Sequence, residues 1–134
     1  MNSQPKLKDR ETCLQIDVSV VTYKPDLPQF RASLQTIAEQ DYPAEKLRLL
    51  VFDNSVDDST FGAVREIAEE FSQCFSDIVC KQGATNCGFG IGNNSAVALG
   101  TSPFIVILNQ DIKLEPDSLW AAQAFASSDD EGGI

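Results

Sequence analysis

At 134 residues the chain has room for one domain, and a chain of this length buries roughly 68% of the surface it would expose unfolded, enough for one real core. Its composition, 43% hydrophobic and 22% charged, belongs with globular proteins and excludes disordered and fibrous classes. A formal net charge of −10 with no histidine argues against nucleic acid or anionic lipid as partners, because those polyanions are held through Lys and Arg.

Residues 1–13 are polar at the start, carry Lys6, Lys8 and Arg10 and show no periodicity, so they read as a flexible leader, with the domain over 14–134. A strand is expected over 16–22. Asp26 as a cap, Pro28 in the first turn and the stripe Leu27, Phe30, Leu34 and Ile37 predict a helix over 27–40. A second strand follows over 47–52. Asp57, Asp58, Ser59 and Thr60 then precede a helix over 61–71, whose apolar stripe is Phe61, Val64, Ala68 and Phe71. Residues 78–81 form a weaker strand, 82–92 a loop, and 93–99 a helix. The continuous β-branched run over 104–108 predicts a fully buried, central parallel strand. Glu115 and Pro116 open a last helix with Leu119, Ala122 and Ala126 on one face. Strands alternating with helices predict an α/β fold, a mostly parallel sheet with flanking helices, built by right-handed crossovers.

The four cysteines, Cys13, Cys74, Cys80 and Cys87, lack the C-x-x-C spacing of a zinc site and have no histidine company, so they read as free thiols. The longest strongly apolar run, 104–108, is far shorter than the ~20 residues that span a bilayer, and the start has no signal-peptide core. A soluble, cytoplasmic protein is expected, any attachment to the inner membrane coming from other segments or partners.

In open α/β sheets ligands bind at the carboxyl ends of the strands, near the switch in strand order. The strand ends here read Thr22-Tyr23-Lys24, Asp53-Asn54-Ser55 and Asn109-Gln110-Asp111. A carboxylate at Asp53 can accept from a base or a ribose hydroxyl, Tyr23 can stack on a flat base, and Asp111 can hold a divalent cation that bridges two phosphates. Each residue alone is ordinary turn chemistry; three strands delivering polar groups to one rim is not. The loop Asn86-Cys87-Gly88-Phe89-Gly90-Ile91-Gly92-Asn93-Asn94 is glycine-rich but matches neither the dinucleotide fingerprint nor the P-loop. It suits a backbone that wraps closely round a ligand ahead of a helix start.

These four motifs, Thr22-Tyr23, residues 53–60, residues 86–94 and Leu108-Asn109-Gln110-Asp111, together resemble glycosyltransferase family 2 over 16–119, and most nearly its rhamnosyltransferase-like members. The resemblance implies a GT-A (Rossmann-like) fold and an inverting transfer of sugar from a UDP- or dTDP-linked donor to an acceptor hydroxyl on a glycan or lipid-linked acceptor, in polysaccharide or glycan synthesis. By position it implies that Thr22, Tyr23, Asp53 and Asn54 hold the nucleotide, that Asn86, Gly88, Gly90, Asn93 and Asn109 line the sugar-nucleotide pocket, and that Asp111 coordinates Mg2+ or Mn2+. Three positions depart from the family: Asn109 stands where the first Asp of an Asp-x-Asp motif is common, Gln110 where Pro is usual, and Val56 where Ser is usual. In the family the general base lies beyond the metal motif, and here it is expected beyond Ile134. The chain therefore reads as the truncated N-terminal, donor-binding part of a larger enzyme. A non-catalytic nucleotide-binding or assembly module is the alternative.

Overall fold

A computed structural model describes residues 9–83 and 102–128, the side chains of 126–128 excepted. The elements in chain order are β1 (Ile16–Thr22), α1 (Leu27–Ala38), a 3-10 turn (Ala44–Lys46), β2 (Leu47–Asp53), α2 (Asp58–Glu69), a 3-10 turn (Ser72–Cys74), β3 (Asp77–Gln82), β4 (Phe104–Asn109) and α3 (Ser118–Ser128). The four strands form one sheet in the order β3-β2-β1-β4, and every pairing is parallel. The expected α/β layering is therefore present. The chain moves outward from β1 to β3 and then returns to the other side of β1, which makes the gap between β1 and β4 the switch point of the sheet.

Strand alternation separates the two faces. Ile16, Val18 and Val20 of β1, with Leu47, Leu49 and Val51 of β2, join one core cluster with Phe30, Leu34 and Ile37 of α1, Val64, Ile67 and Ala68 of α2, and Leu119 and Trp120 of α3. All three described helices thus cover one face. Burying each large aliphatic side chain there contributes about 1.5–3 kcal/mol. On the opposite face Val21 and Phe52 form a small cluster, and the buried Asp17 is held by the Arg48 guanidinium at 3.1 Å and by Ser102 Oγ at 2.6 Å.

Caps decide where the helices begin. Asp26 accepts from the Gln29 N–H at 3.1 Å and Pro28 occupies the first turn of α1, as expected. Helix α2 starts three residues before the expected position 61, because Asp57 is its cap: that carboxylate accepts from the hydroxyls of Ser59 and Thr60, which releases both residues to lie within the first turn. Helix α3 starts at Ser118 rather than at Glu115. Gln40, just past the end of α1, donates to the Glu115 carbonyl at 2.6 Å and accepts from the Leu119 N–H at 2.8 Å, and this bridge docks the start of α3 on the end of α1. Of its described side chains Leu119, Trp120 and Gln123 are buried and Ala122 is half-buried, while the Ala126 side chain lies outside the described residues.

Two further expectations meet a different structure. β4 is not fully buried and central among the described residues: it pairs with β1 alone, and Ile107 is 50% exposed. Ile107 pairs with Ser19 on the face opposite the one the three described helices cover, and an apolar run by itself fixes neither what covers each face nor how many neighbours a strand's edges have. Within the leader, Asp9 to Cys13 forms a turn in which the Cys13 N–H donates to the Asp9 carbonyl, Cys13 packs into the core, and the Lys46 ammonium donates to the Glu11 and Cys13 carbonyls. The expected loop over 82–92 is described only at Gln82, the end of β3, and at Gly83, while the helix over 93–99 lies wholly outside the described residues. No described helix is long and apolar enough to cross a membrane.

Candidate functional site

The register aligns the strand ends. Thr22 lies opposite Asp53, and Val21 opposite Asn109, so β1, β2 and β4 deliver their last residues to a single edge. The Asn54 N–H continues the ladder by donating to the Thr22 carbonyl at 2.7 Å, and the Gly83 N–H donates to the Asp53 carbonyl at 2.8 Å. Gly83 is glycine for a steric reason. A Cβ there would stand 3.0 Å from the Phe52 ring and 3.1 Å from Asn54 Oδ1, tight enough that one of these side chains would have to give by a few tenths of an ångström.

Asp53 is completely buried, and its two oxygens differ. Oδ1 accepts from Thr22 Oγ1 at 2.8 Å, from Ser55 Oγ at 2.8 Å and from the Ser55 N–H at 3.3 Å. Oδ2 is buried and has no partner among the described residues. A desolvated oxygen without a donor is costly, so Oδ2 stands ready to accept a hydrogen bond from water or from a ligand. Thr22 is buried too, and its hydroxyl is spent on Asp53; it supports that carboxylate from within the sheet.

Beyond Thr22 the chain turns sharply. Lys24 has φ 44, a left-handed conformation rare for a side chain of this size, and its N–H donates to Ser55 Oγ at 2.7 Å. Tyr23 is 44% exposed at the rim, with the Lys24 ammonium 5.3 Å from its ring centre. The Gln110 side chain reaches over from the end of β4: its Oε1 accepts from the Tyr23 N–H at 2.8 Å and its Nε2 donates to the Tyr23 carbonyl at 3.3 Å. Gln110 and Ser55 were not named as site residues from the sequence. Ser55 lies inside a quoted motif, and for Gln110 the available signal was its departure from the usual Pro.

Asn109 and Asp111 are both exposed on the turn leaving β4. The chain after them is pinned to α1, where the Ser33 hydroxyl donates to the Ile112 carbonyl and Thr36 Oγ1 accepts from the Leu114 N–H at 3.0 Å. Among the described residues no three His, Cys, Asp or Glu side chains gather into a metal cage. A lone carboxylate with a neighbouring amide carbonyl suits a hard cation that keeps waters and takes its other ligands from substrate phosphates, which is how Mg2+ is commonly held. The donor set therefore fits Mg2+ or Mn2+ carried with a diphosphate. Thr22, Tyr23, Asp53, Asn54 and Asn109 are thus brought to one edge with Asp111, whereas Asn86, Gly88, Gly90 and Asn93 lie outside the described residues. Ile134, beyond which the general base is expected, lies outside them as well.

The described thiols stand apart from this rim, and Cys87 lies outside the described residues. Cys13, Cys74 and Cys80 are unpaired, and burial pushes the Cys80 thiol up to about 11, which keeps it protonated and unreactive at neutral pH.

Comparison with known proteins agrees with this arrangement. Among solved structures the chain is similar to the mannosyltransferase PcManGT from Pyrobaculum calidifontis, solved with GDP-Man and Mn2+: 28% identity over 86% of this chain and 33% of that one, with a TM-score of 0.77. It is also similar to S. aureus TarS solved with UDP-GlcNAc, at 24% identity over 86% of this chain and 32% of that one and a TM-score of 0.71. The form of TarS solved with UDP gives 23%, 86%, 32% and 0.69. The chain spans about a third of the length of these proteins, and the likeness to TarS is one of fold. No curated protein matches. The parallel sheet with its flanking helices is the GT-A-like fold of these neighbours. Residues 17–134 match the family model for Glycosyl transferase family 2, a span that takes in every strand end on the rim, and the chain accordingly belongs to glycosyl transferase family 2.

Proposed function

We propose that this chain is the donor-binding part of a nucleotide-sugar-dependent glycosyltransferase, which moves a sugar from a UDP- or dTDP-linked donor to an acceptor hydroxyl with inversion, in polysaccharide or glycan synthesis. The observation that carries this reading is the oxygen of the buried Asp53 that has no partner among the described residues, at the carboxyl edge of the sheet and one strand away from the gap where the strand order switches. Ligands of open α/β sheets bind at that position.

In this reading Asp53 Oδ2 accepts a hydrogen bond from the base or ribose, its Oδ1 being fixed by Thr22 and Ser55 so that the free oxygen keeps one orientation. Tyr23 offers its exposed ring to the flat base. Asn54 lines the same pocket, with the bare Gly83 leaving room beside its amide. Asp111, with Asn109 beside it, would hold Mg2+ or Mn2+, which when bound neutralises charge developing on the departing diphosphate. The similarity to a mannosyltransferase solved with GDP-Man and Mn2+ supports a nucleotide-sugar donor and the cation. The motif Leu108-Asn109-Gln110-Asp111 supports a rhamnosyltransferase-like placement within the family.

The test is calorimetric titration and thermal shift with UDP, dTDP and GDP, each with and without Mn2+. Binding of at least one nucleotide, tightened by Mn2+, is the expected result. Folded protein that gives neither heat nor a thermal shift with any of the three would sink this reading.

A further inference from the structure

The Gln110 side chain spans two parts of the rim. It leaves the turn that carries Asp111 and meets both backbone polar groups of Tyr23, as a neighbouring strand would, accepting from the N–H at 2.8 Å and donating to the carbonyl at 3.3 Å. On the other flank the next N–H, that of Lys24, is held at 2.7 Å by Ser55 Oγ, which in turn donates to Asp53 Oδ1 at 2.8 Å. The segment between these anchors is strained, since Lys24 lies at φ 44. Strain of this kind persists only where surrounding contacts over-determine it, and it collects at ligand clamps.

Through these two bonds the Gln110 carboxamide fixes the backbone of Tyr23, a residue remote in the chain. The alternative, a proline at 110, offers neither a donor nor an acceptor to Tyr23. The rest of the turn is anchored independently through Ile112 and Leu114 on α1, so the Gln110 carboxamide is not needed to hold its own loop.

We propose that Gln110 is a positioning residue whose carboxamide, clipped to the Tyr23 backbone, holds the base-facing ring of Tyr23 and the carboxylate of Asp111 in one fixed relation. This rests on the reading of Tyr23 and Asp111 given above. Gln110 touches neither base nor phosphate in it; the residue acts through Tyr23. The chain of contacts then runs from Asp53 through Ser55 and the Tyr23–Lys24 backbone to Gln110 and Asp111, so that a base on one side and a cation on the other meet parts set by the same bonds. The departure from the family's usual Pro is thereby given a purpose: a tether in place of a stiff turn.

The experiment compares wild type, Gln110→Leu and Gln110→Glu by titration with a neutral nucleoside, using uridine, thymidine or guanosine to match the nucleotide that wild type binds. A nucleoside carries no phosphate, so changes of charge or of metal affinity at the Asp111 turn leave its binding almost untouched. Gln110→Leu loses both bonds, and its nucleoside affinity should fall about fivefold or more, the scale of one to two lost hydrogen bonds. Gln110→Glu keeps the acceptor for the Tyr23 N–H but repels the carbonyl, and should fall between the two. The Tyr23 amide should also move upfield and exchange faster in Gln110→Leu, a signature that a general loss of stability would not confine to that residue. Nucleoside affinity within twofold of wild type in folded Gln110→Leu overturns the proposal. If that variant does not fold, Gln110→Glu decides: undiminished nucleoside affinity overturns it, and a loss of about threefold supports it. A wild type that binds no nucleotide at all refutes the functional reading and this proposal with it, whereas wild-type binding with an unaffected variant refutes the tether alone.

Discussion

Thr22 Oγ1 donates to Asp53 Oδ1 at 2.8 Å across the β1–β2 pair, where the two residues stand directly opposite in the register. Both side chains are fully buried, so the hydroxyl orients the carboxylate without competing for whatever binds its other oxygen. We expect Asp53→Asn to lower nucleotide affinity about tenfold or more, because the amide presents a donor or a weaker acceptor where the free oxygen stood. Thr22→Val should destabilise the fold by about 1–2 kcal/mol, one donor to a buried charge being lost, and should weaken the nucleotide less. Calorimetry and chemical denaturation on the two variants separate these effects; equal affinity in Asp53→Asn and wild type would remove Asp53 from the site.

Asp111 is expected to govern metal dependence and little else. Its side chain is exposed and the turn beyond it is tied to α1 by Ser33 and Thr36, so Asp111→Ala should leave the thermal midpoint within a degree or two. The same change should abolish the gain in nucleotide affinity that Mn2+ brings to wild type. An Mn2+ effect of undiminished size in Asp111→Ala would show that the cation is held elsewhere.

Val56 carries avoidable strain. It lies at φ 60 and is 47% exposed, so a β-branched residue occupies the left-handed region with little packing in return. That conformation costs roughly 1–2 kcal/mol for such a side chain, and glycine relieves it at an entropic cost of about 0.5–1 kcal/mol. Val56→Gly should therefore raise stability by about 0.5–1 kcal/mol, while Val56→Ala, which keeps a Cβ, should recover little of that. A urea titration resolves the difference, and a Val56→Gly variant less stable than wild type would contradict the assignment of strain.

The far end of the sheet sets the acid limit. Burial pushes the Asp17 carboxyl up, but the Ser102 hydroxyl and N–H and the Arg48 guanidinium outweigh it and hold it below its ordinary value. A depressed value means that the stabilisation is present above the unfolded value of about 3.9 and is lost as pH falls through the folded one. Stability should therefore decline below about pH 4, and the decline should be shallower in Asp17→Asn. Asp9, Asp57 and Glu70 are shifted in the same direction, Asp9 chiefly by the Glu11 N–H, Asp57 by the hydroxyls of Thr60 and Ser59, and Glu70 by the Arg31 guanidinium, but all three lie on the surface, where water competes for these bonds and salt weakens the Arg31–Glu70 pair. Arg48→Met, which leaves Asp17 buried without its cation, should cost roughly 3 kcal/mol at neutral pH. Denaturant midpoints from pH 7 downward at high salt test both, and an Asp17→Asn curve parallel to wild type would show that this pair is not the acid trigger.

Local periodicity and capping chemistry were sufficient to determine the order of the described strands and helices, because the stripe of α1 and the Asp26 cap act within a few residues of one another. The same holds for the polar strand ends: Asp53 and Asn109 each close an apolar run, and a parallel sheet brings such ends to one edge whatever the loops do. What tertiary structure alone decided are contacts between residues remote in the chain. Gln110 reaches Tyr23 across 87 positions, Ser102 reaches Asp17 across 85, and Gln40 meets Leu119 across 79. Each depends on which strands are neighbours and in what register, and β4 lying beside β1 rather than beside β3 is not written in the composition of either strand. The inequality of the two Asp53 oxygens has the same origin, since a carboxylate's donors are fixed only when the opposite strand and the following turn have closed around it.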